Sequence, residues 1–64
     1  MVNGAEIKRL MKEKGISNRD MAKTAGLSEA MMTYVIQGLR EPNVAALVRI
    51  AKKLDCTVDA LIKS

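Results

Sequence analysis

The chain lacks the residues that most catalytic and metal sites use. Its 64 residues include no histidine and one cysteine, Cys56. Ser-His and Cys-His catalysis are therefore excluded, as are zinc sites of the usual kind. A lone thiol cannot close an internal disulfide, so nothing indicates an oxidising compartment. So short a chain forms one small domain, predicted to span residues 1–64, without room for a substrate cleft. We expect no enzymatic activity, no metal and no cofactor.

Aromatic residues and long apolar runs are also scarce. Tyr34 is the one aromatic residue, whereas proteins that bind single-stranded nucleic acid need several stacking rings. The longest apolar run, residues 44–48, is far shorter than the ~20 residues that cross a bilayer. The N-terminus carries no apolar signal segment. We therefore predict a soluble, cytoplasmic protein with no membrane partner.

The charge balance is mildly basic. Eleven lysines and arginines against seven aspartates and glutamates give a net charge of +4. This excess favours a polyanionic partner such as nucleic acid, and a well-solvated surface is the alternative explanation for so modest a value. Apolar residues make up 48% of the chain, which is typical of a globular domain.

Apolar residues recur at helical spacing along the chain, and no segment alternates with the period of a strand. We predict five short helices: residues 5–14, one from Ser17 to Gly26, one from Ser28 to Gln37, one after Asn43, and a last one after Thr57. The apolar stripe of the fourth helix comprises Val44, Leu47, Val48, Ala51 and Leu54. The expected fold class is all-α, a compact five-helix domain.

Capping residues and glycines set the bounds of these segments. Asn3 with Glu6, and Ser17 with Asp20, have the spacing of capping boxes. Glycine is the common residue just past a helix end, and the glycines divide the chain at nearly even spacing: Gly4, Gly15, Gly26 and Gly38. A helix of about two to three turns fits each interval between them.

The second and third helices are joined by a very short turn, Gly26 and Leu27. Such a turn forces the two helices to cross closely and steeply. Ala22 and Ala25 are small enough to face the partner helix, and Gly26 tolerates the positive φ of a sharp turn. These are the steric demands of a helix-turn-helix, which lays its second helix in the major groove of DNA.

The third helix has two different sides. Met31, Met32, Val35 and Ile36 fall on an apolar side, and the opposite side carries Glu29, Ala30, Thr33, Tyr34 and Gln37. Solvent-facing helices usually carry lysine and glutamate. A side built from small and hydrogen-bonding groups without a cation favours a contact surface, and an ordinary polar face is the alternative.

Residues 16–42, ISNRDMAKTAGLSEAMMTYVIQGLREP, resemble the helix-turn-helix of the lambda-repressor-like, or Cro/XRE, family. The resemblance continues through NVAALVRIAKKLDCTVDALI and covers nearly the whole chain. Eight positions match the pattern of that family simultaneously: Ala22, Gly26, Leu27, Met32, Val35, Gly38, Pro42 and Leu54. The resemblance implies a sequence-specific transcriptional regulator, a small Cro-like repressor that reads duplex DNA with its third helix.

The resemblance also assigns roles to particular residues. Base edges would be read by Glu29, Ala30, Thr33 and Tyr34. Glutamate can accept from cytosine N4, and Ala30 or Thr33 can touch a thymine methyl. The family often has glutamine or arginine at the position of Glu29, whose carboxylate could instead serve the helix N-terminus. Phosphates would be contacted by Asn18, Arg19, Ser28, Gln37 and Arg40. Asn18 and Ser28 could equally be simple caps, and Arg19 could be solvated.

The family implies a homodimer on inverted half-sites about one DNA turn, ~34 Å, apart. We expect a weak dimer, or one formed on DNA, with Leu39, Val58 and Ile62 as candidate apolar contacts. The alternative function is a protein-interaction or antitoxin-like module that uses the same fold without reading bases. The low charge of the third helix's polar side and the presence of Glu29 favour that alternative.

Overall fold

The computed structural model describes residues 1–62 and is all-α, as predicted. The helices are α1 (Gly4–Lys14), α2 (Asn18–Ala25), α3 (Glu29–Ile36) and α4 (Val44–Lys53), followed by a single 3-10 turn, Asp59–Leu61. Helix α2 packs against α3 and α4, and α1 packs against α3 and the 3-10 turn. The described part of the chain contains no strand, only an isolated antiparallel bridge between Val2 and Ile62.

The predicted fifth helix is wrong. Thr57 does cap this segment, since its hydroxyl oxygen accepts from the Ala60 N–H at 3.2 Å. The Leu61 N–H bonds to the Val58 carbonyl, a three-residue spacing, and Ile62 then turns into extended backbone. Leu61 is fully buried. One tight turn therefore places the apolar side chain in the core, and the bridge from Ile62 to the N-terminal segment ends the helical geometry.

Each α-helix is directly preceded by the polar residue that the sequence predicts as its N-cap. The side chains of Asn3, Ser17, Ser28 and Asn43 accept backbone N–H groups at 3.2, 3.1, 3.0 and 2.7 Å. Such caps contribute ~1 kcal/mol each. The capping box at Asn3 is incomplete, because the Asn3 N–H donates to the Leu61 carbonyl instead, at 2.7 Å, and Glu6 pairs with Arg9.

The core is built from all four helices and the 3-10 turn. Its largest fully buried side chains are Ile7, Met21, Met32, Val35, Ile50, Leu54 and Leu61. No polar or charged residue among those described is buried. The predicted stripe of α4 is only partly correct, because Val44 and Val48 are 79% and 40% exposed while Ala51 and Leu54 are buried. The interior takes Ala46 and Ile50 of α4 instead.

Gly4 lies inside the first helix, which corrects the predicted start of that helix at residue 5. It is the first residue of α1 and is buried. A Cβ at this position would lie 2.7 Å from the Ile36 carbonyl oxygen and closer still to that of Val35. The absence of a side chain therefore lets the start of α1 press against the last turn of α3.

We predict that Gly4→Ala destabilises the protein by about 1–3 kcal/mol, because the added methyl overlaps backbone atoms that cannot turn aside. Thermal or urea unfolding measures the loss. Gly15→Ala is the matched control: Gly15 has φ +68° but open space around it, so this variant reports only backbone strain, about 1 kcal/mol. A smaller loss for Gly4→Ala than for Gly15→Ala would contradict the close approach.

Candidate nucleic-acid interface

The turn between α2 and α3 has the sharp geometry that its sequence predicts. Gly26 ends α2 with φ +73°, and the Leu27 N–H donates to the Ala22 carbonyl at 2.9 Å. Ala22 and Ala25 are each 1% exposed, and Leu27 packs partly buried against the core. The turn therefore holds α3 directly beside α2, and the small side chains of Ala22 and Ala25 lie in the interior.

Helix α3 divides into a buried side and an outward side. Met32 and Val35 are fully buried. Glu29 and Ala30 are exposed, Tyr34 is 43% exposed, and the predicted reader Thr33 is half-buried. Glu29, Ala30 and Tyr34 therefore form the open part of this helix surface, and we call these three residues the reading face.

Thr33 is drawn inward by a hydrogen-bond network with α2. The Asn18 side-chain amide donates to the Glu29 carbonyl at 3.1 Å and to the Thr33 hydroxyl at 3.2 Å. The Thr33 hydroxyl donates to the same Glu29 carbonyl at 3.0 Å. Asn18 Oδ1 is buried and has no hydrogen-bond partner among the described residues. This network ties the first turn of α2 to the first turn of α3.

The predicted phosphate contacts lie around the reading face in two groups. Asn18, Arg19 and Ser28 belong to the starts of α2 and α3. Gln37 is the C-cap of α3, and Arg40 follows in an exposed loop. Helix α3 has 8 residues, so the two groups stand about 12 Å apart along its axis. Within residues 1–62, Arg19 and Arg40 form no ion pair.

Glu29 does not cap the helix on which it lies. The Ser28 hydroxyl oxygen supplies the cap of α3 by accepting from the Met31 N–H. In the part of the chain that the structure describes, the Glu29 carboxylate makes neither a hydrogen bond nor an ion pair. Its carboxylate still lies in the first turn, where the helix dipole favours a negative charge.

The loop after α3 is held by the N-terminal segment. The Val2 N–H donates to both carboxylate oxygens of Glu41, at 2.8 and 2.9 Å. The Met1 amino group lies 3.9 Å from the same carboxylate. Glu41 follows Arg40 directly in the chain, so this contact fixes the loop next to Arg40, a predicted phosphate contact. The Glu41 carboxylate itself is bound to the N-terminal segment.

The surroundings of Cys56 do not favour its thiolate form. Burial raises the pKa of the Cys56 thiol, and the neighbouring Asp55 carboxylate adds to the rise. A protonated thiol is a poor nucleophile.

The described residues contain no group of three or more histidine, cysteine, aspartate or glutamate side chains that could hold a metal ion. None of their helices has the length and apolar character needed to span a bilayer.

The geometry of the motif agrees with a comparison of the sequence with protein families. A family described as helix-turn-helix matches residues 7–61, a range that includes α2, α3 and their turn. The chain belongs to the helix-turn-helix family. The resemblance to lambda-repressor-like, Cro/XRE proteins is thereby confirmed. No curated protein matches the chain significantly in sequence.

Several solved structures share the fold of this helix-turn-helix protein. The restriction-modification controller protein C.AhdI from Aeromonas hydrophila has a TM-score of 0.81 and 25% identity, covering 92% of this chain and 89% of that one. SinR, the master biofilm regulator of Bacillus subtilis, was solved in complex with DNA; its TM-score is 0.80 at 30% identity, covering 92% and 98%. The DNA-binding domain of the P22 C2 repressor has a TM-score of 0.82 and 25% identity, covering 92% and 78%.

The sequence did not single out two features of this helix-turn-helix protein. Arg49 of α4 lies over the turn, with its Nη1 3.2 Å from where a Cβ of Gly26 would be. Val44 and Val48, one helical turn apart, leave apolar surface exposed on α4. The three predicted dimer contacts differ in exposure: Leu39 is 68% and Ile62 40% exposed, whereas Val58 is half-buried against the core.

We predict that Glu41→Ala destabilises this helix-turn-helix protein by about 1 kcal/mol, because the partly buried Val2 N–H loses its acceptor. Thermal unfolding measures the change, and Glu41→Gln should restore part of it since one acceptor oxygen remains. Glu13→Ala is the control: it removes an exposed carboxylate bonded only to Arg9, and we expect no measurable change. Equal losses for the two alanine variants would argue against the loop contact.

Proposed function

We propose that this helix-turn-helix protein binds double-stranded DNA in a sequence-specific manner and regulates transcription, acting as a small repressor that occupies an operator. The observation that carries the proposal is the outward reading face of α3, held by a two-residue turn against α2. A helix held in this way can enter the major groove, which is ~12 Å wide. Solved relatives include a regulator bound to DNA, a phage repressor and a controller protein.

Within this proposal the residues divide by the chemistry that they can offer. Ala30 and the Thr33 methyl suit a thymine methyl, the Glu29 carboxylate suits cytosine N4, and the Tyr34 hydroxyl can donate to a base acceptor. Arg19, Ser28, Gln37 and Arg40 surround the reading face and suit phosphate oxygens. At Asn18 the backbone N–H remains for a phosphate, since the first N–H groups of a helix lack partners within it.

A homodimer is part of the same proposal. One α3 of 8 residues covers only a few base pairs, so selectivity requires two copies on half-sites about 34 Å apart. The exposed Leu39 and Ile62 support an apolar contact between copies. So small a contact area favours a dimer that is weak in solution and stable on DNA. The protein would act in the cytoplasm, where such operators lie.

A second candidate function is a protein-interaction or antitoxin-like module. It is favoured by the absence of any lysine or arginine on α3 and by the exposed, unpaired carboxylate of Glu29. SinR has also been solved in complex with the SinI protein, and this chain covers 62% of that SinR chain at 29% identity. Such a module would bind duplex DNA weakly and without sequence preference.

Selection of bound sites from a random duplex pool tests the proposal and separates the two functions. A regulator enriches one half-site, repeated in inverted orientation at a fixed spacing. Its affinity for the enriched duplex falls steeply with salt, because phosphate contacts release counterions. Recovery of random sequences only, with no mobility shift at 50 mM salt, would contradict DNA readout and favour the protein-interaction module.

We predict different effects for a residue proposed to contact bases and a residue proposed to contact phosphates. Tyr34→Ala should weaken binding to the selected duplex by about 1–3 kcal/mol and relax preference at one base pair. Arg40→Ala should weaken binding to all duplexes alike and reduce the salt slope by about 1. Mobility shifts against selected and scrambled duplexes at two salt concentrations measure both effects.

Arg9→Ala is the matched control for Arg40→Ala, because it also removes one positive charge but from α1, where Glu6 and Glu13 already pair with it. We expect no change in base preference and little change in affinity. If Tyr34→Ala leaves both affinity and preference unchanged, the reading face is assigned to the wrong side of the helix.

A further inference from the structure

The contact between Asn18 and α3 limits what Thr33 can do at a DNA surface. Both residues lie at the edge of the reading face, and each carries a group able to donate a hydrogen bond to DNA. On the proposed function, these donors can contact DNA only where no group of the protein already engages them.

The donors of the two side chains are directed at groups of the protein. The Asn18 amide nitrogen donates to the Glu29 carbonyl at 3.1 Å and to the Thr33 hydroxyl oxygen at 3.2 Å. The single Thr33 hydroxyl hydrogen goes to the Glu29 carbonyl at 3.0 Å. The Thr33 hydroxyl therefore keeps no donor for guanine O6, thymine O4 or a phosphate oxygen without breaking the network.

The orientation of the Asn18 amide is fixed by the same groups. With the amide reversed, its oxygen would face the Glu29 carbonyl oxygen at hydrogen-bonding distance, and two acceptors repel each other. In the orientation found, Asn18 Oδ1 is buried without a partner. An unpartnered buried acceptor has a free-energy cost, so the two bonds on the other side of the amide must outweigh it.

We propose that Asn18 and Thr33 are a pair of positioning residues: their hydrogen bonds fix the start of α3 against the start of α2, and Thr33 presents a methyl group, not a hydroxyl donor, to DNA. Donor readout on this helix is then left to Tyr34, the one exposed hydroxyl of the reading face. Asn18 affects binding through the position of α3, which changes affinity for all sequences, and not through a contact of its side chain.

Thr33→Val and Thr33→Ser separate the two halves of the Thr33 side chain. Valine keeps the methyl and removes the hydroxyl, so we expect the same selected half-site and a two- to tenfold loss of affinity for every duplex. Serine keeps the hydroxyl and removes the methyl, so we expect wild-type affinity for scrambled DNA and altered preference at a thymine. A changed half-site for Thr33→Val would show that the hydroxyl reads a base and would overturn the proposal.

Asn18→Ala, alone and combined with Thr33→Val, tests the coupling. Two residues of one network give non-additive effects, so the double variant should lose little more affinity than Asn18→Ala alone. The same cycle is measured on the unfolding temperature of the free protein, which needs no DNA. If the two substitutions lower the unfolding temperature additively, Asn18 and Thr33 do not act as a hydrogen-bonded pair and the proposal is wrong.

Failure of the proposed function is distinguishable from failure of the pair. If the wild-type protein binds no duplex, Thr33 has no role at DNA and the proposed function is wrong. Non-additive unfolding temperatures of Asn18→Ala and Thr33→Val would still show that the two side chains interact. If Asn18→Ala does not fold, Thr33→Val decides by its selected half-site, because valine has nearly the shape of threonine. Arg19→Ala, the next residue along α2, is the control variant and should show no coupling to Thr33→Val in the unfolding cycle.

Discussion

The two-residue turn between α2 and α3 is the constraint on which the rest of the structure depends. Gly26 adopts a left-handed backbone, φ +73°, that ends α2 and reverses the chain at once. Helix α3 begins so soon after this turn that it packs against α2, and the small Ala22 and Ala25 of α2 are buried. A bulkier residue at either buried position would overpack the interior next to the turn.

Helix α3 is too short to be stable alone, since isolated helices of fewer than ~12 residues are marginal in water. Its position comes from contacts at both ends. At the start, Ser28 caps it and Asn18 holds it to α2. At the end, its last carbonyls press against Gly4 of α1. On the proposed function, contacts at both ends of so short a helix reduce the conformational freedom that its reading face would lose on binding DNA.

Features set by neighbouring residues could be predicted from the sequence, and those set by distant segments could not. The caps and the turn at Gly26 depend on residues a few positions apart, and the structure confirms them. The close approach at Gly4 joins residues 4 and 35–36, and the Asn18–Thr33 bond joins two helices. The exposure of Val44 likewise depends on how α4 rotates against α2, which apolar periodicity alone does not specify.

On the proposed function, the charge distribution around α3 favours selectivity over raw affinity. The reading face has no cation, and the Glu29 carboxylate raises the energy of any complex that brings it near phosphates. Pairing with cytosine N4 offsets this repulsion only on a matching sequence. The carboxylate therefore weakens non-specific binding more than specific binding. Arg19 and Arg40 attract the backbone of any duplex, so a discriminating group of this kind increases the ratio between the specific and the non-specific affinity, which determines occupancy of an operator.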